Sequence, residues 1–155
     1  MASTPKSVAA FLEGKRFAVA GVSRDPKQTA NAVFRKLRDS GFEVVPVNPS
    51  AAELEGVPCY PDLKSIPGEI DGVMVVTSRS VAADIVRQCA DKGVKRVWFH
   101  RSFGDGSVSR EAVKECKARG IEAIVGGCPL MYCEPVDGGH ACIRWVLRLL
   151  GKVPG

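Results

Sequence analysis

The residues best suited to chemistry follow the apolar stretch 17–20, where glycine, serine and arginine precede a helical pattern. They are Gly21, Val22, Ser23, Arg24 and Thr29, the last of which is expected to be the helix N-cap. A strand that passes through a glycine turn into a helix leaves backbone N–H groups unpaired, and the helix dipole favours an anion there. The loop therefore predicts a phosphate site for a nucleotide-like ligand, and a plain strand–helix turn is the alternative.

A second polar loop follows the apolar run that ends at Val47. Asn48, Pro49 and Ser50 can form a rigid turn whose amides and hydroxyl face a ligand. The alternative is that Pro49 simply ends the strand, because proline cannot donate to a sheet.

A third loop, Thr77, Ser78 and Arg79, follows another apolar run. Ser78 or Ser80 is expected to cap the next helix, since serine is a favoured N-cap residue. Arg79 is a candidate clamp for a phosphate.

Two more loops carry reactive side chains. His100, Arg101 and Ser102 follow Trp98–Phe99, and a histidine at a strand end can donate to phosphate or act as a base. Cys128 lies in a Gly/Pro loop, where a positive helix end would lower its pKa and make it reactive. A surface histidine and a structural cysteine are the alternatives, because no general base, G-x-S-x-G or H-E-x-x-H motif accompanies them.

The elements between these loops alternate strand and helix. The predicted strands are 16–21, 42–47, 72–76, 96–99 and 121–125, and the predicted helices are 7–12, 29–40, 81–92, 110–118 and 140–150. Strands that are apolar throughout are typical of a parallel sheet covered on both faces. We therefore expect a doubly wound, Rossmann-like α/β fold of about five strands in three layers, with residues 1–155 as one domain. The five loops then meet at the C-terminal edge of the sheet.

Composition narrows the class of protein. The 155 residues carry a net charge of +5 and 6% aromatic residues, which does not favour a nucleic-acid-binding surface. No apolar run approaches the roughly 20 residues that span a membrane, and no signal peptide is visible, so a cytoplasmic protein is expected. Six cysteines without a C-x-x-C pair predict free thiols and no metal site.

Several segments together resemble the small stand-alone CoA-binding proteins, which are similar to the CoA-binding domain of the succinyl-CoA synthetase alpha subunit. The resemblance spans about residues 11–131, and its most specific piece is Pro46-Val47-Asn48-Pro49. The other matching segments are 19–23, 54–63, 70–73, 97–99 and 126–129. Here His100 stands where stand-alone members commonly have glutamine, and Gly126-Gly127-Cys128 replaces a common Asp-Arg-Cys, both closer to the synthetase form.

The resemblance implies coenzyme A as the ligand. Residues 21–24 would hold its diphosphate, 48–50 would face the 3′-phosphate and ribose, and 77–79 would contact adenine or phosphate. Residues 100–102 would line the pantetheine side, with Cys128 near the CoA thiol. The synthetase's phosphorylated histidine belongs to a second domain that this sequence does not contain, so a complete ligase reaction is not implied.

We therefore expect a protein that binds CoA or an acyl-CoA without catalysis of its own. The first alternative is an enzyme, or an enzyme subunit, in which Cys128 or His100 does acyl or thiol chemistry on CoA. The second is a nicotinamide-binding redox protein, which the missing G-x-G-x-x-G and the missing acidic residue after Val47 disfavour. An apolar face on the last helix could pair two copies or bind a partner enzyme subunit.

Overall fold

A computed structural model describes residues 4–102, 104 and 106–154 of the chain. The helices are α1 Lys6–Leu12, α2 Thr29–Asp39, α3 Arg79–Lys92, α4 Arg110–Ala118 and α5 Gly138–Leu149. The strands are β1 Arg16–Ala20, β2 Glu43–Val47, β3 Glu53–Leu54, β4 Val57–Pro58, β5 Gly72–Val75, β6 Arg96–Phe99 and β7 Glu122–Val125. None of the helices described is long and apolar enough to cross a membrane.

Five of the strands form one parallel sheet in the order β2-β1-β5-β6-β7. Ala18 of β1 stands opposite Val45 of β2 on one side and Val73 of β5 on the other. The chain moves outward from β1 first to β2 and then, in the other direction, to β5, β6 and β7. This change of direction creates a crevice at the carboxyl ends of β1 and β5, where ligands bind in doubly wound folds.

Helices cover both faces of the sheet, which confirms the predicted three layers. Side chains of α3 and α4 pack with Ala18 and Ala20 on one face. Side chains of α1, α2 and α5 pack with Phe17 and Val19 on the other face. Successive residues of β1 thus enter different cores, which explains why the strand is apolar throughout.

Several details differ from the sequence expectation. Thr29 is the first residue of α2, and Gln28 occupies the N-cap position, so the prediction that Thr29 caps the helix is wrong. Strands β3 and β4 form an antiparallel two-residue hairpin within a segment expected to be a loop. Helices α3 and α5 begin at Arg79 and Gly138, each two residues before its predicted start.

Phe103 and Asp105, in the expected connection between strand 96–99 and helix 110–118, lie outside the described residues.

Candidate functional site

The first loop begins at a glycine that no other residue could replace without strain. Gly21 has a φ of +108°, and a Cβ there would lie 2.1 Å from the carbonyl oxygen of Val76. The backbone after β1 therefore lies in close contact with the backbone after β5, and the positive φ of Gly21 turns the loop away from the sheet. Val22 is fully buried, so only its backbone can face a ligand.

A buried asparagine of α2 holds this loop in place. Asn31 Oδ1 accepts the backbone N–H of Ser23 at 3.0 Å, and Nδ2 donates to the Ser23 carbonyl at 2.8 Å. Nδ2 also lies 2.9 Å from Glu55 Oε1, which forms an ion pair with Arg35. Asn31 was not predicted from the sequence. A polar residue among Ala30 and Phe34 on the apolar face of a helix could have indicated it, because a buried amide must find hydrogen-bond partners, here the backbone of the first loop.

The second loop is bonded to the first. Asn48 Nδ2 donates to the Val22 carbonyl at 2.9 Å, and Asn48 Oδ1 accepts the Ser50 N–H at 2.7 Å. The Arg24 guanidinium donates to the Ser50 carbonyl. The Asn48 side chain thus joins the loops, whereas Pro49 and Ser50 are exposed and available to a ligand.

The third loop lies where β5 ends. The Thr77 hydroxyl donates to the Ser78 carbonyl at 2.9 Å, and the Thr77 carbonyl accepts from Ser107 Oγ at 2.7 Å. Ser78 occupies the N-cap position of α3, but its side chain makes no capping bond and lies 2.9 Å from Ser80 Oγ. Arg79 is exposed at the start of the helix.

The loop after β6 is partly covered. His100 is partly buried, and this burial lowers the pKa of its imidazole below the usual 6.5. Arg101 pairs with Gly127 in an antiparallel bridge, in which the Gly127 N–H donates to the Arg101 carbonyl at 2.8 Å. Ser102 is half-buried beside them.

Cys128 is a buried thiol. It is 2% exposed, and burial raises its pKa to about 11, which is the opposite of the lowered pKa that a reactive thiol at a helix end would have. The short 3-10 turn Pro129–Met131 that follows is too small to offset the loss of water. Trp98 Nε1 donates to the Gly126 carbonyl at 2.8 Å and so fixes the start of the loop that follows β7.

Two hollows lie along this edge. One of about 330 Å³ is lined by residues of the first loop and of the β3–β4 hairpin, including Ser23, Arg24 and Asn31. The other, of about 540 Å³, lies between the starts of α3 and α4 and is lined by Arg79 and Arg101. A further cavity of about 520 Å³ lies at the opposite edge of the sheet, away from every predicted site residue.

The remaining chemistry is limited. All six cysteines are free thiols, as predicted, and Cys142 is the exposed one. Within the described ranges, no group of three or more His, Cys, Asp or Glu side chains could hold a metal ion.

Known proteins resemble this chain in both sequence and fold. The chain is 35% identical to the alpha subunit of ADP-forming acetate–CoA ligase II of Pyrococcus furiosus over 69% of its own length. That match spans only 23% of the ligase subunit. The uncharacterised protein YneT of Bacillus subtilis is 32% identical over 74% of this chain and 82% of its own length.

Solved structures share the architecture. A hypothetical protein from Pyrococcus horikoshii OT3 superposes with a TM-score of 0.74 at 28% identity, covering 84% of this chain and 94% of that one. The dinucleotide forming acetyl-coenzyme A synthetase 1 of Ca. Korarchaeum cryptofilum, in complex with phosphate and ADP, gives 0.63 at 27% identity over 71% of this chain and 25% of the synthetase.

A family model shows which family this architecture and these loops represent. The model, described as a CoA binding domain, matches residues 15–134, which include every predicted site residue. The chain belongs to the CoA binding domain family.

Proposed function

We propose that this chain binds coenzyme A or an acyl-CoA across the C-terminal edge of its sheet and performs no catalysis of its own. The family supports CoA as the ligand class. The geometry supports the C-terminal edge of the sheet as the binding position, because the backbone of the first loop is already fixed in a shape that suits a phosphate.

The preformed first loop is the observation that carries this proposal. Gly21 and Asn31 fix its backbone, and the first amides of α2, those of Thr29 and Ala30, have no acceptor within their own helix. Asp25 Oδ1 accepts the Lys27 N–H at 3.0 Å, which lowers the pKa of that carboxyl, so the Lys27 amide is already paired within the loop. A diphosphate placed there meets a site that needs little reordering.

Charge and exposure extend the site toward the second loop. Arg24 reaches across to the Ser50 carbonyl, so its guanidinium lies between the two loops. Pro49 and Ser50 are exposed beside it and are the residues we assign to the ribose and 3′-phosphate side. The pantetheine arm then runs toward His100, Arg101 and Ser102.

The buried thiol argues against covalent chemistry at the pantetheine end. With a pKa of about 11, only about one Cys128 in 10⁴ is a thiolate at pH 7. His100 is no better as a general acid, because burial keeps its imidazole neutral at that pH. The same six free thiols suit a reducing compartment, and we propose the cytoplasm as the location.

The proposal is tested by calorimetry of CoA with reduced, ligand-stripped protein, using NADH and ATP as comparison ligands. We expect saturable binding of CoA that is at least tenfold tighter than that of NADH, because no carboxylate follows β2 to hold a nicotinamide-cofactor ribose. Arg24→Gln is expected to weaken binding roughly tenfold by removing one charged donor. Lys95→Gln, the same change of charge at the opposite edge of the sheet, should have no effect.

No saturable CoA binding by the wild-type protein would refute the proposal. Equal losses in Arg24→Gln and Lys95→Gln would show that net charge, and not the first loop, governs binding. A Cys128→Ala variant that loses a CoA-dependent turnover present in the wild type would replace the binding function with an enzymatic one.

A second candidate function is the CoA-binding part of a larger enzyme assembly. The exposed apolar face of α5 favours it, since Trp145 is 63% exposed and Leu149 is 69% exposed. Such a face suits a second copy of the chain or a partner subunit. Light scattering after gel filtration distinguishes a second copy from a partner subunit. A wild-type dimer that becomes a monomer in Trp145→Arg indicates self-association through α5. If the wild type and Trp145→Arg are both monomers, the face of α5 is assigned to a different protein.

A further inference from the structure

The cavity between α3 and α4 is lined by positive charge from three separate segments. Arg79 comes from the start of α3, Arg101 from the loop after β6, and Arg110 from the start of α4. Ser80 and Ser109 complete its polar wall, and the cavity holds about 540 Å³. Of the described residues that line it, none is acidic.

Arg110 stands where a cation is unfavourable. It is the first residue of α4, at the positive end of the helix dipole. Glu111, the acidic residue in the first turn of α4, forms an ion pair with Arg87 at 2.8 Å instead. A position that breaks a local rule in this way, as Arg110 does, is expected where a ligand compensates for it.

Arg101, from the loop after β6, has a hydrogen-bond donor that is not satisfied within the described residues. Arg101 Nε is buried and has no hydrogen-bond partner among the described residues. Its backbone is fixed by the bridge to Gly127, so the base of the side chain cannot easily move to find one. Because buried donors are normally paired, an acceptor from outside the chain is the simplest partner.

We propose that this cavity is an oxyanion subsite that takes a phosphate or carboxylate group. The subsite is separate from the first loop, since β1 and β6 are two strands apart, about 10 Å in a sheet. A diphosphate on the first loop therefore leaves this subsite to another group. Where that group is part of CoA, the inference rests on the proposed function: because the 3′-phosphate is assigned to Pro49 and Ser50, the group is the carboxylate of an acidic acyl chain. Free phosphate is the other source of the same chemistry.

The first experiment titrates inorganic phosphate into the wild-type protein, Arg110→Gln and Lys117→Gln, at constant ionic strength. Phosphate is expected to saturate the wild type and Lys117→Gln and to bind Arg110→Gln at least roughly tenfold more weakly. Lys117 lies near the far end of the same helix and is exposed, so it controls for net charge. Arg110→Gln should unfold no earlier than the wild type without phosphate, which separates lost binding from lost structure.

The second experiment identifies the source with three CoA ligands. Because the 3′-phosphate is assigned to Pro49 and Ser50, Arg110→Gln should change the affinities for CoA and dephospho-CoA equally; a loss for CoA alone would overturn that assignment and place the 3′-phosphate in the subsite. If an acyl carboxylate occupies it, Arg110→Gln weakens succinyl-CoA but leaves acetyl-CoA unchanged. If only inorganic phosphate binding responds, the subsite serves a free ion.

The inference is overturned if wild type and Arg110→Gln bind phosphate, CoA and succinyl-CoA alike. That result differs from failure of the proposed function, in which the wild type does not bind CoA at all. Phosphate binding with the expected Arg110 dependence would then survive as an independent property of the cavity.

Discussion

Replacing Asn31 with alanine tests whether the first loop is built before the ligand arrives. Asn31 is 1% exposed, and its amide makes three hydrogen bonds, two to the Ser23 backbone and one to the Glu55 carboxylate. Two neutral bonds contribute about 1 kcal/mol each, and a bond to a charged group about 1.5–3 kcal/mol. We expect Asn31→Ala to lower the free energy of unfolding by about 3–5 kcal/mol in urea titrations followed by circular dichroism.

The loss of CoA affinity should be larger than a general loss of stability explains. Without Asn31, at least two loop residues must be ordered by the ligand, at about 1 kcal/mol each, which corresponds to a roughly thirtyfold weaker CoA affinity. Calorimetry under conditions where the variant is fully folded measures this directly.

Gln88 provides the matched control. It is an amide of α3 that accepts the Leu63 N–H at 3.1 Å and donates to Asp84 at 2.9 Å, on the opposite face of the sheet. Gln88→Ala should lower stability without changing CoA affinity. If Asn31→Ala retains CoA affinity within twofold, the loop is not ordered by Asn31, and the reasoning fails.

Three further predictions concern thiols, pH and the Gly21 turn. Ellman's reagent should modify Cys142 at least 100-fold faster than Cys128, which is buried with a pKa of about 11; a fast phase that survives in Cys142→Ser would contradict this. Burial lowers the pKa of His100, so below about pH 6.5 the unfolded chain binds a proton that the folded chain does not, and stability should fall toward pH 5. The fall should be smaller in His100→Asn, and an unchanged fall would exclude His100 as its cause. Gly21→Ala should lower the free energy of unfolding by more than about 2 kcal/mol, because the new methyl group would clash with the Val76 carbonyl. Gly41→Ala is the control: Gly41 has a φ of +94° and open space around it, so only backbone strain of about 1–2 kcal/mol is expected. Equal losses in the two variants would mean that no clash with the Val76 carbonyl occurs.

The sheet was predictable because each of its strands is long enough to show a continuous apolar run in the sequence. Five apolar runs separated by helical periods predict a parallel sheet, and the order of strands and helices then places the loops at one edge. The β3–β4 hairpin was missed, since two residues per strand are too few to show any alternation. Thr29 was misplaced because threonine is a favoured N-cap residue and glutamine is not, whereas the helix begins at Thr29 itself, with Gln28 at the N-cap and no side-chain capping bond.

The site was less predictable than the fold. The first loop was found from its glycine and serine, but Asn31 supports it from within a helix, and only three-dimensional packing brings the two together. Arg110 was missed for the same reason, because it lies some 30 residues from Arg79 in the chain yet lines the same cavity. For Cys128, the sequence left a reactive thiol and a structural thiol open, and only the structure shows that burial raises its pKa.

The hydrogen bond beneath the Gly126 carbonyl gives the protein an internal optical probe. Of its two tryptophans, Trp98 is fully buried with its indole N–H bonded to that carbonyl, whereas Trp145 is exposed on α5. Trp98 therefore emits from an apolar, rigid environment and Trp145 from water, and the two contributions differ in wavelength. In Trp145→Phe, the remaining tryptophan emission comes from Trp98, so a rearrangement that breaks its bond to the Gly126 carbonyl should appear as a spectral shift in unlabelled protein.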